Sequence, residues 1–226
     1  MEFKGVFTHS ELDLKSKLKN VKAFLFDWDG VFNTGFKNGQ LGSGFSEVDS
    51  MGTNLLRFSY YLNTTKLPIT GVISGEKNES AQFFANREHF DYNFYKIPHK
   101  IIALEKICQE QNIKPDEVCY FFDDVLDLSI AQKCGVRVLI NKPAIHFFKE
   151  YCVKNNLVDY ISHCDGGKHG IREACEMLMV LNDNFDKSIS ERTAYTNVYK
   201  EYINKRQAQN TRILTFNSTE SGLKEG

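Results

Sequence analysis

No run of apolar residues in this chain of 226 approaches the length needed to cross a bilayer. The N-terminus lacks the continuous apolar stretch of a signal peptide, so a cytoplasmic protein is expected. Excess charge of either sign is missing too: 28 Lys and Arg against 29 Asp and Glu leave a net charge of -1. That balance argues against a general nucleic-acid binder or a membrane-surface protein, either of which carries a basic excess. Six cysteines stand at 108, 119, 134, 152, 164 and 175, and no two form C-x-x-C. Several fall inside apolar patterns, which reads as buried free thiols rather than disulfides or zinc ligands. His9, His89, His99, His146, His163 and His169 show no ligand spacing and read as surface or structural groups. Of these, His99 and His169 neighbour the motifs described below. No internal repeat is present, and the length suffices for one full core with appendages.

What is present is an alternation of short apolar runs with helical patterns. Strands are predicted over residues 21–26, 67–73, 90–95, 118–122, 136–140 and 158–161. Helices are predicted over 11–19 behind Ser10, then 50–62, 76–88, 98–111 opened by Pro98, 126–133 and 168–181. Residues 31–48 are rich in glycine and aromatics, with Lys37-Asn38-Gly39 as the turn of a β-hairpin insertion. Alternating strands and helices imply βαβ units, an α/β doubly wound parallel sheet, with its ligand site at the carboxyl ends of the strands. A domain over 1–182 and a helical extension over 183–226 are expected, with roughly 209–226 disordered.

Asp27-Trp28-Asp29-Gly30-Val31 closes the first strand pattern. Two carboxylates two residues apart at a strand end suit attack on phosphorus by the first and proton transfer by the second. Gly30 lets the chain turn away. Asp123-Asp124 follows the strand pattern over 118–122 and supplies a further carboxylate near Asp27. Carboxylates, waters and a phosphate oxygen make a set suited to octahedral magnesium. Each motif also has a plainer reading. An acid pair can cap a helix or turn, Ser74-Gly75 can be a simple turn, Lys100 a solvated cation, and 123–127 an acidic helix start. That Asp27, Ser74 and Asp123 all fall just after predicted strands favours the site.

Taken in order, these motifs resemble those of the haloacid dehalogenase superfamily of phosphatases. Asp27-x-Asp29-Gly30-Val31 matches motif one, Ser74 motif two, Lys100 motif three and Asp123-Asp124-x-x-Asp127 motif four. With only a hairpin and a helix between motifs one and two, the chain is similar to the capless branch. Within it, the resemblance is to 3-deoxy-D-manno-octulosonate 8-phosphate phosphatase and its sugar-acid relatives. The segments that carry it include Lys100-Ile101-Ile102-Ala103-Leu104, Phe121-Phe122-Asp123-Asp124-Val125-Leu126-Asp127 and Gly166-Gly167-Lys168-His169-Gly170. It spans roughly residues 15–182.

The resemblance implies a magnesium-dependent phosphoric monoester hydrolase, linked to lipopolysaccharide biosynthesis. Asp27 would be the nucleophile and Asp29 the acid and base. Ser74 would hold phosphoryl oxygens and Lys100 would neutralise charge. Asp27, the main-chain carbonyl of Asp29 and Asp123 would bind the metal, with Asp124 or Asp127 behind them. It also implies a homotetramer in which a neighbour covers the site, and a small phosphorylated substrate with neither nucleic acid nor membrane as partner.

Four residues depart from the family pattern: Asn33, Val48, Glu76 and Phe122. They spare the phosphoryl-handling positions but alter the surroundings that would read a sugar acid. Arg57, Arg87 and Lys168 are then the cations available for a substrate carboxylate. A phosphorylated receiver is disfavoured, because its lysine follows the acceptor acids whereas Lys100 precedes the acid cluster. A non-catalytic binding protein that keeps the fold is the alternative. Beyond residue 182, Tyr195, Val198, Tyr199, Tyr202 and Ile203 form one apolar helical face, packing either on its own domain or on a neighbouring subunit.

Overall fold

The computed structural model describes residues 2–37, 43–217 and 222–226. Its strands are β1 (Val6–Phe7), β2 (Ala23–Phe26), β3 (Ile69–Ile73), β4 (Tyr92–Tyr95), β5 (Val118–Phe122), β6 (Val136–Asn141), β7 (Tyr160–Asp165), β8 (Arg212–Asn217) and β9 (Gly222–Glu225). The helices are α1 (Glu11–Leu18), α2 (Glu47–Thr64), α3 (Glu79–Arg87), α4 (Ile101–Gln111), α5 (Leu128–Ala131), α6 (His146–Lys154), α7 (Gly170–Leu181), α8 (Phe185–Thr193) and α9 (Asn197–Gln207). The described strands form one sheet in the order β1-β7-β6-β5-β2-β3-β4-β8-β9. Every pairing from β7 to β8 is parallel, and β1 and β9 add antiparallel edges.

The apolar strands are explained by burial on both faces of the sheet. Phe24 and Phe26 of β2 point to one side, into a core with Leu55, Leu56, Phe84, Ile171 and Leu178. Ala23 and Leu25 point to the other, with Leu104, Ile107 and Ile130. Helices α1, α2, α3 and α7 cover the first face, and α4, α5 and α6 the second. After β2 the chain runs outward to β3 and β4, then returns to place β5 on the opposite side of β2. The connections leaving β2 and β5 therefore diverge, and a crevice opens between their carboxyl ends.

Side-chain caps adjust the predicted helix limits. Ser46 accepts the Val48 amide at 3.0 Å, so α2 starts before residue 50. Asn78 accepts the amides of Ser80 and Ala81 at 3.0 and 3.3 Å, so α3 starts only at Glu79. Pro98 lies ahead of α4, which begins at Ile101. The expected hairpin turn at Lys37-Asn38-Gly39 runs outside the described residues, and the described flanks, 31–37 and 43–46, contain no strand.

Within the end expected to be disordered, Arg212–Asn217 and Gly222–Glu225 are strands, which corrects the expectation for those residues. β8 lies parallel to β4 with Ile213 beside Asn93, and β9 folds back on β8. The physical reason is pairing over distance: β4 offers an open row of backbone groups, and Leu214 enters the core beneath it. The aromatic face of α9 packs on its own chain. Tyr199 and Tyr202 meet Phe58 of α2 with ring centroids 5.0 and 5.1 Å apart, and Tyr202 donates its hydroxyl to the Asn54 carbonyl at 3.1 Å. No described helix is long and apolar enough to cross a membrane.

Candidate active site

Asp27 stands one residue past β2, and its amide donates to the Phe121 carbonyl at 2.9 Å. The parallel ladder thus continues through the residue and fixes where its carboxylate points. Ser74 is held likewise past β3, its amide on the Phe94 carbonyl at 2.9 Å. Asp123 follows β5, and Lys142 follows β6. The open crevice lined by these residues measures about 320 Å³ and also takes in Asp29, Lys100 and Asp127.

At its floor lie three buried carboxylates, Asp27, Asp123 and Asp127, each offering an oxygen within 4.8 Å of the others. Lys100 is buried among them. Its ammonium donates to Asp27 and, at 2.6 Å, to Oδ1 of Asp127. Tyr120, on β5, donates its hydroxyl to the same Asp127 oxygen at 2.6 Å. The Asp124 amide donates to the other Asp127 oxygen at 3.3 Å, while the Asp124 carboxylate accepts the Val125 amide at 2.7 Å and caps the short turn there. Asp124 is therefore a capping residue, and Asp127 is the acid that faces the crevice floor.

Burial raises the Asp27 carboxyl well above the usual range, the Asp127 and Asp123 charges push it further, and Lys100 opposes both. Burial raises Asp123 as well, with Lys142 opposing. For Lys100 burial acts downward, yet the Asp27 and Asp127 charges hold it above its ordinary value. Negative charge is in excess on the crevice floor. All the donors are oxygen atoms, the hard set that magnesium prefers, so the residues fit a divalent cation.

Asp29 sits higher on the wall. Lys37 donates to one of its oxygens at 2.6 Å and Ser43 to the other at 2.8 Å. The Oγ of Ser74 accepts the Glu76 amide at 3.2 Å. Gly30 has φ +89, and a Cβ there would collide with both Asp123 and Lys142. Gly166 lies so close to the Gly30 carbonyl that a side chain could not fit. This contact explains the glycine pair before α7: it lets that segment buttress the Asp29 loop.

Two of the four departures have local explanations. Asn33 is a staple, its Oδ1 accepting the amides of Gly30 and Gly35 at 3.1 and 2.8 Å. Phe122 is fully buried and stacks on Tyr120. Val48 is exposed on α2, and Glu76 lines the crevice. None of the cations offered as carboxylate readers lines the crevice. Arg57 is buried and donates to the Glu88 and His89 carbonyls. Arg87 forms a two-pronged pair with Glu47 at 2.5 and 2.7 Å. Lys168 pairs with Asp165 at 3.2 Å. His169 lies 3.8 Å from the buried Asp49, away from the crevice floor.

Sequence reasoning missed Lys37, Tyr120 and Lys142. For Lys142 a signal exists, since it stands just past a predicted strand, as Asp27, Ser74 and Asp123 do. Tyr120 gives none, because an aromatic residue inside an apolar run reads as core.

No family model matches the chain. Among curated relatives, the 3-deoxy-D-manno-octulosonate 8-phosphate phosphatase KdsC of Salmonella typhi is 22% identical over 177 residues, covering 76% of this chain and 87% of its own. Among solved structures, one from Legionella pneumophila assigned to the HAD (haloacid dehalogenase) superfamily, subfamily III A, aligns with TM-score 0.66 and 21% identity. That alignment covers 81% of this chain and 96% of the other. The 3-deoxy-D-manno-octulosonate 8-phosphate phosphatase of Moraxella catarrhalis, in complex with magnesium, phosphate and KDO, aligns with TM-score 0.64 and 22% identity. It covers 80% of this chain and 98% of its own. The fold is that of the haloacid dehalogenase superfamily hydrolases.

Proposed function

We propose that this chain is a magnesium-dependent phosphatase of a small phosphorylated metabolite, of the sugar-acid phosphate class that includes 3-deoxy-D-manno-octulosonate 8-phosphate. The observation that carries the reading is Lys100, which bridges Asp27 and Asp127 where three buried carboxylates converge. Three acids against two lysines, Lys100 and Lys142, leave negative charge that a cation from outside would offset. The cation would also draw in the negatively charged phosphoryl group.

In this reading an Asp27 oxygen attacks phosphorus, and the bond from phosphorus to the substrate's ester oxygen breaks. Asp29 donates a proton to that departing oxygen. An aspartyl phosphate results. Asp29 then takes a proton from water, the hydroxyl attacks phosphorus, and Asp27 leaves as carboxylate with inorganic phosphate as product. Lys100 offsets the negative charge gathered around Asp27, and Ser74 with the amides after β3 holds phosphoryl oxygens. Asp27, Asp123 and the Asp29 carbonyl would hold the magnesium, with Asp127 behind them. When bound, the ion neutralises phosphoryl charge as a Lewis acid.

Glu76 lines the crevice and Arg57, Arg87 and Lys168 do not, which leaves a substrate carboxylate few partners among the expected cations. Activity on the octulosonate ester is therefore reduced or shifted toward a related phosphate. The test compares kcat/KM across sugar-acid and neutral sugar phosphates with magnesium present. Failure to release phosphate from any of them, or from a generic aryl phosphate, would sink the reading in favour of a binding protein. The homotetramer and the cytoplasmic location belong to the same reading and are tested by solution mass and by fractionation.

A further inference from the structure

Lys142 has no place in the chemistry above, yet its ammonium lies on Asp123, one of the carboxylates assigned to the metal. Two lysines thus serve the crevice floor, and they are held differently. Lys100 is gripped by two carboxylates and its side chain is 6% exposed. Lys142 is gripped by one carboxylate and its side chain is 24% exposed, with open crevice beside it. Its backbone is the last residue before Pro143, where the proline ring restricts rearrangement, so any movement belongs to the side chain. Gly30 leaves room for the ammonium at its seat on Asp123: a Cβ at that position would strike both groups.

Resting on the phosphatase reading, we infer that Lys142 competes with the divalent cation for Asp123, so that this lysine sets the metal affinity of the site. A monovalent ammonium and a divalent ion cannot both take full advantage of one buried carboxylate. Lys142 must withdraw along the crevice wall for the metal to bind, and that withdrawal lowers the affinity. Lys100 does not yield, because leaving would strand two buried charges at once. The arrangement keeps the acid cluster partly compensated when no metal is present, and it makes metal loading responsive to the free concentration of the ion.

The test is calorimetric titration of the intact protein with magnesium chloride and, separately, manganese chloride. Wild type, Lys142→Met and Lys142→Arg are compared, with melting temperature recorded for each. Lys142→Met is expected to bind either ion about tenfold more tightly than wild type or better, because a competing unit charge is gone. Lys142→Arg keeps the charge and is expected to stay near wild type. If Lys142→Met does not fold, Lys142→Gln, which keeps a polar end, takes its place with the same expectation. Wild-type binding with unchanged or weaker affinity in the neutral variants overturns the inference and leaves the phosphatase reading intact. An absence of binding in every variant overturns both.

Discussion

Tyr120 donates its hydroxyl to the same Asp127 oxygen that receives Lys100, both at 2.6 Å. The tyrosine is fully buried on β5, so it fixes Asp127 from the core side while Lys100 holds it from the crevice side. Tyr120→Phe keeps the ring and its stacking on Phe122. The expected loss is about 1 kcal/mol of stability, since Asp127 retains Lys100 as a partner. Turnover is expected to fall about tenfold as Lys100 loses its fixed counterpart. Chemical denaturation and steady-state kinetics on one preparation check both.

Asp27→Asn is expected to abolish turnover with the fold intact. Burial and the neighbouring acids already oppose the charged form of Asp27. Neutralising it should therefore leave the melting temperature unchanged or raise it. Asp29→Asn is expected to be severely impaired for loss of proton transfer. Wild-type rates in purified Asp27→Asn would sink the assigned nucleophile.

Removal of metal is expected to remove activity, and magnesium to restore it. Calcium, with its larger and looser coordination, is expected to inhibit by misplacing the phosphoryl group. Activity titrated against each ion after exhaustive chelation gives the answer, and full turnover in excess chelator would count against the metal.

Asp159 is a test of pH dependence away from the site. It accepts from the Arg137 side chain at 2.8 Å through both oxygens and from Lys17 at 2.6 Å. Burial acts to raise its carboxyl, but Arg137 and Lys17 prevail and hold it below the ordinary value. A folded pKa below the unfolded one gives stability that is present above about pH 4 and lost as the pH falls through the folded value. Asp159→Asn also removes the counter-charge of the buried Arg137, whose side chain keeps only Asn156 as a partner among the described residues, for an expected loss of about 3 kcal/mol at pH 7. The gap between the two proteins should narrow below about pH 4. Urea unfolding of both at pH 7 and at about pH 3 measures it, and a constant gap would mean the pair does not titrate on folding.

Deleting residues from 185 onward removes α8, α9, β8 and β9 together. It uncovers Phe58 and Tyr61 of α2 and the outer edge of β4. A marked drop in melting temperature is expected. Tyr202→Ala alone should cost about 3 kcal/mol, as large buried aromatics do. Calorimetry and light scattering read both, and an unchanged melting point would make the extension a spectator.

Most of the sheet was legible because its strands are buried on both faces. The apolar run over 118–122 coincides with β5, and the strand ends carrying Asp27, Ser74, Asp123 and the nearby Lys100 meet as the motif order implies. What escaped depends on distant partners. β1 has two residues, and only pairing with β7 makes it a strand. α6 leaves Phe147 and Tyr151 exposed, so its apolar spacing does not look like a core face. Arg57 reads as a free cation in sequence, yet it is enclosed by carbonyls at the end of α3. Tyr120 meets Asp127 from inside an apolar run, which no local pattern announces, whereas Lys142, on Asp123, stood just past a predicted strand and went unread.

The place of β8 has a consequence for how the chain is made. β4 is complete at Tyr95, but its outer neighbour begins only at Arg212. While α4 through α9 are being synthesised, the Tyr92–Tyr95 strand offers bare hydrogen-bonding groups between aromatic side chains. That is the form of edge on which nascent chains join one another. A ribosome stalled before residue 212, or a protease cutting in the segment after α9, would leave this template exposed. β8 thus covers the edge that β4 would otherwise present, a service separate from anything that happens in the crevice.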